Sequence, residues 1–346
     1  MAVPASGNPI SLAGVGAEVN ANEYNASSTS LASLQTLAAE TTFNTNSDSA
    51  PNATAPHALS EWYGYDHDAA AAFSDSYSVA RSITTGTAQA VYIADSDGHF
   101  NFTHNQAYTI SFWIKPGWSS ALNTNIHLFS STTAGTTNSS ANMIRLYYHE
   151  SLNRLYYEYR SSSTAKKSNF YLFHSNAGNH AAAYAAAGLG STYWSASNRG
   201  NVGDDNFTMI TVAKSTTNSA GSSYAKVYWN GTWLGNGHYG ANGTGQGTPN
   251  MSTADRQISL GSNSWNYFKS GNSAETQYND LTVWNKQLSA TEISELYNNG
   301  TRLDATSHSA SSNLQMYYKF ENNGNDSSGN SAPAFAVNGN SNFESI

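Results

Sequence analysis

The stretch "YAKVYWNGTWLG", residues 224–235, constrains the fold of this chain more than any other. Alternating aromatic and polar residues flank Asn230-Gly231 on both sides. A two-residue hairpin turn that matches the twist of its strands needs φ > 0 at both central positions, and Asn followed by Gly meets that need. The chain therefore reverses here and pairs the two runs. The same period of two recurs in "YTISFWIK", which puts Ile110, Phe112 and Ile114 on one face and Thr109, Ser111, Trp113 and Lys115 on the other. "MIRLYYHESLNRLYYEYR" predicts a hairpin around "ESLN", and "NFTMITVAK", "RQISLGS", "YNDLTVW" and "LQMYYKF" predict further strands. Many short strands joined by Gly, Asn and Ser turns imply two packed antiparallel sheets.

The alternation starts near residue 76. Before it, "ISLAGVGAEV" and "SLASLQTLAAE" predict short helices among Asn/Ser/Thr/Pro loops, with Leu31, Leu34, Leu37 and Ala38 on one helical face. Two regions are expected: an N-terminal segment, 1–75, and a β-sandwich, 76–346. Residues 161–205 interrupt the alternation, with "NHAAAYAAAGLG" suited to an Ala-rich helix and "STYWSASNRGNVGDDN" to a loop.

One stretch in the sandwich breaks the pattern. "DLTVWNKQLSATEISELYNNG", residues 280–300, runs from a strand into an amphipathic helix. Ser289 and Glu292 have capping-box spacing, and Leu288 and Ile293 have hydrophobic-staple spacing. Ile293, Leu296 and Tyr297 form an apolar stripe, and Asn299-Gly300 supplies the stop. Such a helix lays its stripe on the sandwich, which makes it a structural element.

Charged residues are only 11% of the chain, against roughly 25% in ordinary globular proteins. Aromatics at 12%, with 22 Tyr, set it apart from disordered chains, so Ser, Thr and Asn must cover the surface. The net charge of −8 and the lack of a basic run exclude a nucleic-acid partner. With no Cys there is neither a disulfide framework nor a thiolate metal site. "MAVPASGNPISLAG" has neither the basic start nor the apolar core of a signal peptide, and no run approaches the ~18 apolar residues of a membrane span.

Read in order, "YTISFWIKPG", "KVYWNGTWLG", "ISLGSN", "YNDLTVWNKQLSATEISELYNNG" and "LQMYYKFENNGNDSSGN" resemble the concanavalin A-like lectin/glucanase superfamily, nearest its laminin-G-like and pentraxin-like branch. The family's Leu-Ser/Thr-x-x-Glu-Ile-x-x-Leu-Tyr pattern is matched by Leu288, Ser289, Glu292, Ile293, Leu296 and Tyr297. The resemblance covers roughly residues 76–346 and implies a mainly β, two-sheet antiparallel jelly-roll sandwich with one short helix in its C-terminal half, after a small helical and loop N-terminal segment. It departs from the family at Phe207-Thr208, where an aromatic-His pair is usual. The opening "NPISLAGVGAEV", followed by "SLASLQTLAAE" and "ALSEWYGYDH", is similar to openings of tailed-phage structural proteins and implies a docking segment that meets other virion proteins.

Glucanases on this fold place Glu-x-Asp-x-x-Glu on one strand, so that alternate carboxylates share a face. That spacing is missing: Glu275 is followed by Gln277, Glu292 and Glu295 belong to the helix, and Asp280 is alone on its strand. A non-enzymatic role is expected. Asp95 and Asp97 in "ADSDGHF" have a spacing that can hold Ca²⁺, the one cofactor these residues allow, although a polar turn explains them more simply. "DHD" at Asp66, His67 and Asp68, and the pair Asp204-Asp205, have weaker claims. Saccharide binding on a β-sandwich needs an aromatic face plus polar groups for hydroxyls. Trp265, Trp194, Tyr239 and Trp118 stand in loop-like contexts and are the candidates, each weighed against a packed loop anchor, while Trp113, Trp229 and Trp284 alternate within strands. The expectation is a virion component, a fibre, tail or capsid-decoration protein, present in many copies or as a homo-oligomer and contacting host glycans. The rivals are a secreted carbohydrate-binding module or adhesin of a cellular organism and a divergent glycosidase, which would need the paired carboxylates that the spacing lacks.

Overall fold

A computed structural model describes residues 3, 8–21, 58–65, 76–81, 91–95, 97–102, 106–117, 125–133, 143–149, 154–160, 165–171, 207–216, 225–234, 238–239, 256–261, 276–337 and 342–346. It divides into two compact units, Met1–Ser74 and Asp75–Ile346.

In the first unit, helix α1 (Leu12–Ala21) falls within "ISLAGVGAEV" and just beyond it. Ser11 accepts a hydrogen bond from the Gly14 N–H through its hydroxyl and opens the helix. A 3-10 turn, Leu59–Trp62, follows later. Val3, Val15, Trp62 and Tyr65 form a small buried cluster in which the Trp62 and Tyr65 rings meet edge-on at 5.5 Å. Backbone bonds between Val3 and Tyr65 (2.8 Å) and between Gly64 and Val3 (3.1 Å) tie the start of the chain to this turn. The second expected helix, "SLASLQTLAAE", lies outside the described residues.

The second unit is mainly β. Its strands are β1 (Tyr77–Arg81), β2 (Val91–Asp95), β3 (Tyr108–Lys115), β4 (Asn125–Thr133), β5 (Met143–His149), β6 (Arg154–Arg160), β7 (Ala165–Tyr171), β8 (Thr208–Lys214), β9 (Ala225–Trp229), β10 (Thr232–Trp233), β11 (His238–Tyr239), β12 (Arg256–Leu260), β13 (Thr276–Trp284), β14 (Leu314–Tyr318), β15 (Ala336–Val337) and β16 (Asn342–Ser345). One eight-stranded sheet runs β10-β9-β8-β3-β13-β1-β16, with β14 also on β13, and the other runs β11-β7-β6-β5-β4-β12-β2-β15. Every described pairing is antiparallel.

The expected hairpins are present. Asn230 (φ 45°) and Gly231 (φ 73°) both take the left-handed conformation between β9 and β10. The β5–β6 hairpin pairs Met143 with Arg160 and His149 with Arg154. Strand β7 was not expected, because it falls in the apparent interruption at 161–205. "AKKSNFY" carries two consecutive lysines and no apolar alternation, yet it pairs along its whole length with β6. Pairing with a neighbour already in place overrides its weak local signal.

The core lies between the sheets. Ile110, Phe112 and Ile114 of β3 face it together with Ile210, Val212, Val227, Trp229 and Val283 from the same sheet. Val91, Ile93, Phe129, Ile144, Leu146, Tyr148 and Ile258 close it from the other. Phe112 stacks on Phe129 at 6.4 Å across the gap, and the Tyr108 and Tyr157 hydroxyls hydrogen-bond from sheet to sheet.

The outer face of the first sheet is buried as well. All of β3 except Lys115 is buried, including Thr109, Ser111 and Trp113. The cover is helix α2 (Ala290–Tyr297) and the turns that follow it. Tyr297 stacks on Trp113 at 5.7 Å and 19°, and the Thr109 hydroxyl bridges the Lys286 carbonyl (2.8 Å) and the Leu288 N–H (2.9 Å). The capping box is complete: Ser289 Oγ accepts from the Glu292 N–H at 3.2 Å, and Glu292 Oε2 accepts from the Ser289 N–H at 2.7 Å. Asn298 ends the helix in the left-handed conformation. Ser289→Ala is expected to cost about 0.5–2 kcal/mol, measured by urea unfolding.

Glu292 adds a pH dependence. Burial alone would raise its pKa, but hydrogen bonds from Lys286 and from the Ser289 backbone and hydroxyl outweigh that and hold it at about 2, against 4.5 for an ordinary carboxyl. A depressed folded-state pKa means that its contribution is complete above pH 4.5 and is lost as the pH falls toward about 2. Glu292→Gln should therefore reduce stability at pH 7 and flatten the acid limb of the stability curve.

Candidate functional site

The described carboxylates serve mainly as caps and ion-pair partners. Glu295 accepts from the Ser309 N–H at 2.7 Å and also from the Ser309 hydroxyl. Glu321 accepts from the Ser76 and Tyr77 N–H groups. Asp326 gathers the Tyr317, Ser328 and Ala332 N–H groups within 3.1 Å and shapes the loop after β14. Asp304 pairs with Lys319. Asp280 is not alone, as its strand position suggested. It accepts from the Tyr317 hydroxyl at 2.8 Å and faces Arg302 at 3.8 Å, all three being buried. A bulge in β13, with Asp280 at φ 45°, turns the side chain into this cluster. Burial and the Asp280 charge push the Tyr317 pKa well above its ordinary value, so the hydroxyl stays protonated and donates.

Asp95 is fully buried and braces the turn after β2. Its Oδ1 accepts from the His99 N–H at 3.1 Å and its Oδ2 from the Phe100 N–H at 2.6 Å. His99 Nδ1 lies 3.3 Å from Oδ1, and its Nε2 lies 3.0 Å from the Asn330 carbonyl. Asp97, two residues on, is exposed. The structure thus gives Asp95 a turn-bracing role. Among the described residues no three His, Cys, Asp or Glu side chains gather as a metal site.

Of the expected aromatic candidates, Trp265, Trp194 and Trp118 lie outside the described residues, as do Asp66, His67, Asp68, Asp204 and Asp205. Tyr239 is in a strand, not a loop: it belongs to β11 and pairs with Ser168 of β7. Trp113, Trp229 and Trp284 are buried.

The residue that sequence reasoning passed over is Trp233. Its exposure, 39%, makes it the exposed large hydrophobic side chain of the described residues. The hairpin explains its position. Val227 and Trp229 point into the core, so Tyr228 and Lys226 point outward. Trp233 is registered opposite Tyr228, whereas Leu234, its neighbour, is buried in the core. Trp233 therefore stands on the outer face at the edge of the first sheet. Lys226 Nζ is 5.4 Å from the centre of its ring. A continuous row crosses this face through Trp233, Tyr228, Thr211, Ser111, Thr282 and Tyr317. From Tyr228 to Tyr317 the row is buried, and at Trp233 it opens. The signal was present in the sequence: an Asn-Gly turn fixes the register, and period-two alternation then assigns Trp233 the face opposite Trp229.

The turn also meets the helix. A Cβ on Gly231 would come within 3.1 Å of Tyr297, and its φ of +73° disfavours any side chain there. The hairpin turn and α2 are thus closely packed, and glycine at 231 suits both the contact and the backbone conformation.

No protein-family model matches the chain, and no curated protein matches it. Among solved structures, the binding domain of botulinum neurotoxin DC in complex with rat synaptotagmin II is 16% identical at a TM-score of 0.39, over 64% of this chain and 42% of that one. A botulinum neurotoxin type C structure, described by the dependence of cell entry on two ganglioside molecules, is 16% identical at a TM-score of 0.36, over 60% and 39%. The serotype G binding domain is 13% identical at 0.35, over 63% and 39%. The chain spans less than half the length of each. The two-sheet sandwich rests on the strand pairing above.

Proposed function

We propose that this chain is a non-enzymatic virion structural protein of the tailed-phage kind, whose β-sandwich attaches to surface glycans. The observation that carries the reading is a contrast within the sandwich. Carboxylates that a glycosidase would need are engaged as caps and in a buried ion pair, while an aromatic ring stands open at a sheet rim. One carboxylate cannot act as both acid and nucleophile, and Asp95, Asp280, Glu292, Glu295 and Asp326 are each held by hydrogen bonds of the fold itself. Support for the virion setting comes from the Ser/Thr/Asn-rich, charge-poor composition and from the N-terminal segment's likeness to docking segments.

A single sugar buries little surface, so binding per site is weak and attachment depends on many copies. The test is a multimerised form of the chain on an array of bacterial and marine surface glycans, with mass spectrometry of purified particles alongside. Glycan binding and presence in particles are expected together. Glycan binding by a protein absent from particles would turn the reading toward a secreted carbohydrate-binding module. Silence across the array would remove the attachment role. Deleting residues 1–70 should leave a folded sandwich that no longer enters particles, followed by circular dichroism and particle composition.

A further inference from the structure

We propose that the outer face of the β9–β10 hairpin is a saccharide subsite for a carboxylated sugar, a uronic or sialic acid, with Trp233 as the stacking platform and Lys226 as the carboxylate partner. This deepens the glycan-attachment reading and rests on it.

Three observations meet at one place. Trp233 presents the open ring, which suits the apolar face of a pyranose. Lys226 sits beside it, and among the described residues no carboxylate neutralises it. Its ammonium therefore remains available to an anion. Tyr228 is the third. It is 3% exposed, and among the described residues nothing hydrogen-bonds its hydroxyl. Burial pushes its pKa up, so the hydroxyl stays neutral and can donate to a sugar oxygen.

The hairpin geometry brings these groups together. In a two-residue hairpin the residues flanking the turn, here Trp229 and Thr232, form the hydrogen-bonded pair, and the next pair out is the closer, non-hydrogen-bonded kind. That pair is Tyr228 and Trp233, and the next bonded pair is marked by the Leu234 N–H to Val227 carbonyl bond at 2.9 Å. Lys226 is on the same face as Tyr228, two residues away along β9. The ammonium that now lies over the ring is on a flexible stem and can swing to the rim when a carboxylate arrives. The chain's net charge of −8 does not forbid an acidic ligand, because at physiological salt charges more than about 8 Å apart are largely screened.

The test uses the full chain and isothermal titration with hexagalacturonate, 3′-sialyllactose and neutral maltohexaose. At least one acidic probe should bind about tenfold more tightly than the neutral one, a difference of 1.4 kcal/mol. Trp233→Ala should weaken that probe by about tenfold or more, and Trp233→Phe should retain most of the binding. Lys226→Gln should bring the acidic probe down to the neutral one, with Lys226→Arg restoring the preference and added salt eroding it. Which acidic probe responds identifies the sugar class. Acidic binding that survives Trp233→Ala, or a preference unchanged by Lys226→Gln, would overturn the subsite while leaving glycan attachment standing. Neutral sugars binding as well as acidic ones would also overturn it. A wild-type chain silent on the full glycan array would remove the attachment reading itself.

Discussion

Arg302→Met is expected to destabilise the sandwich by about 3–5 kcal/mol. Arg302 and Asp280 are 2% and 5% exposed, and the Asp280 carboxylate accepts from the Tyr317 hydroxyl while it faces the guanidinium. Removing the guanidinium strands a charge in a site from which water is excluded. The Arg302 side chain also covers the Phe207 ring at 4.8 Å, with Lys115 over the same ring at 5.7 Å, so packing is lost along with charge. At this size the loss should appear as a fall in Tm of roughly 6–20 °C by calorimetry. A companion variant separates the causes. Asp280→Asn keeps a residue that tolerates φ 45° and removes the charge, so the double variant Asp280→Asn/Arg302→Met should recover much of the loss. A double variant as unstable as Arg302→Met alone would show that shape and not charge dominates the cluster.

Trp284→Ala should also cost about 3–5 kcal/mol, as much as a large aromatic deletion between the sheets. Trp284 is fully buried, yet it lies on the outer face of the first sheet, away from the inter-sheet core. Its ring meets His308 at 4.9 Å, and its Nε1–H donates to the Thr282 hydroxyl at 2.9 Å. His308 is in turn pinned by the Glu292 carbonyl at 2.8 Å and by the Ala310 N–H at 3.0 Å. The protein thus has a second buried layer, and deleting Trp284 opens a cavity beneath α2 and its following turns. The check is chemical unfolding of Trp284→Ala beside Phe112→Ala. A cost below about 1 kcal/mol would mean that the layer collapses freely onto the sheet. Because Trp284 is sealed under this cover, its loss should leave glycan recognition by the folded fraction unchanged.

The sequence alone determined the elements whose signals are local. The Asn230-Gly231 turn, the β5–β6 hairpin, the limits of β3 and the capping box of α2 follow from backbone preferences and short-range hydrogen bonds, and the structure places each where those rules put it, while α2 stops at Asn298, one residue before the expected Asn299-Gly300. The face of Trp233 was legible by the same route, since the turn sets the register and alternation sets the side. The tertiary structure decided the rest, because those features depend on residues far apart in the chain. Strand β7 has no pattern of its own and forms because β6 offers it an edge. Thr109, Ser111 and Trp113 read as a polar face with one aromatic, and become a buried layer only when α2, more than a hundred residues later, settles on them. Asp280 read as solitary because the bulge that turns it and the Arg302 and Tyr317 that receive it come from separate segments. Local rules act over a few residues of backbone, whereas burial depends on which surfaces the whole chain brings together.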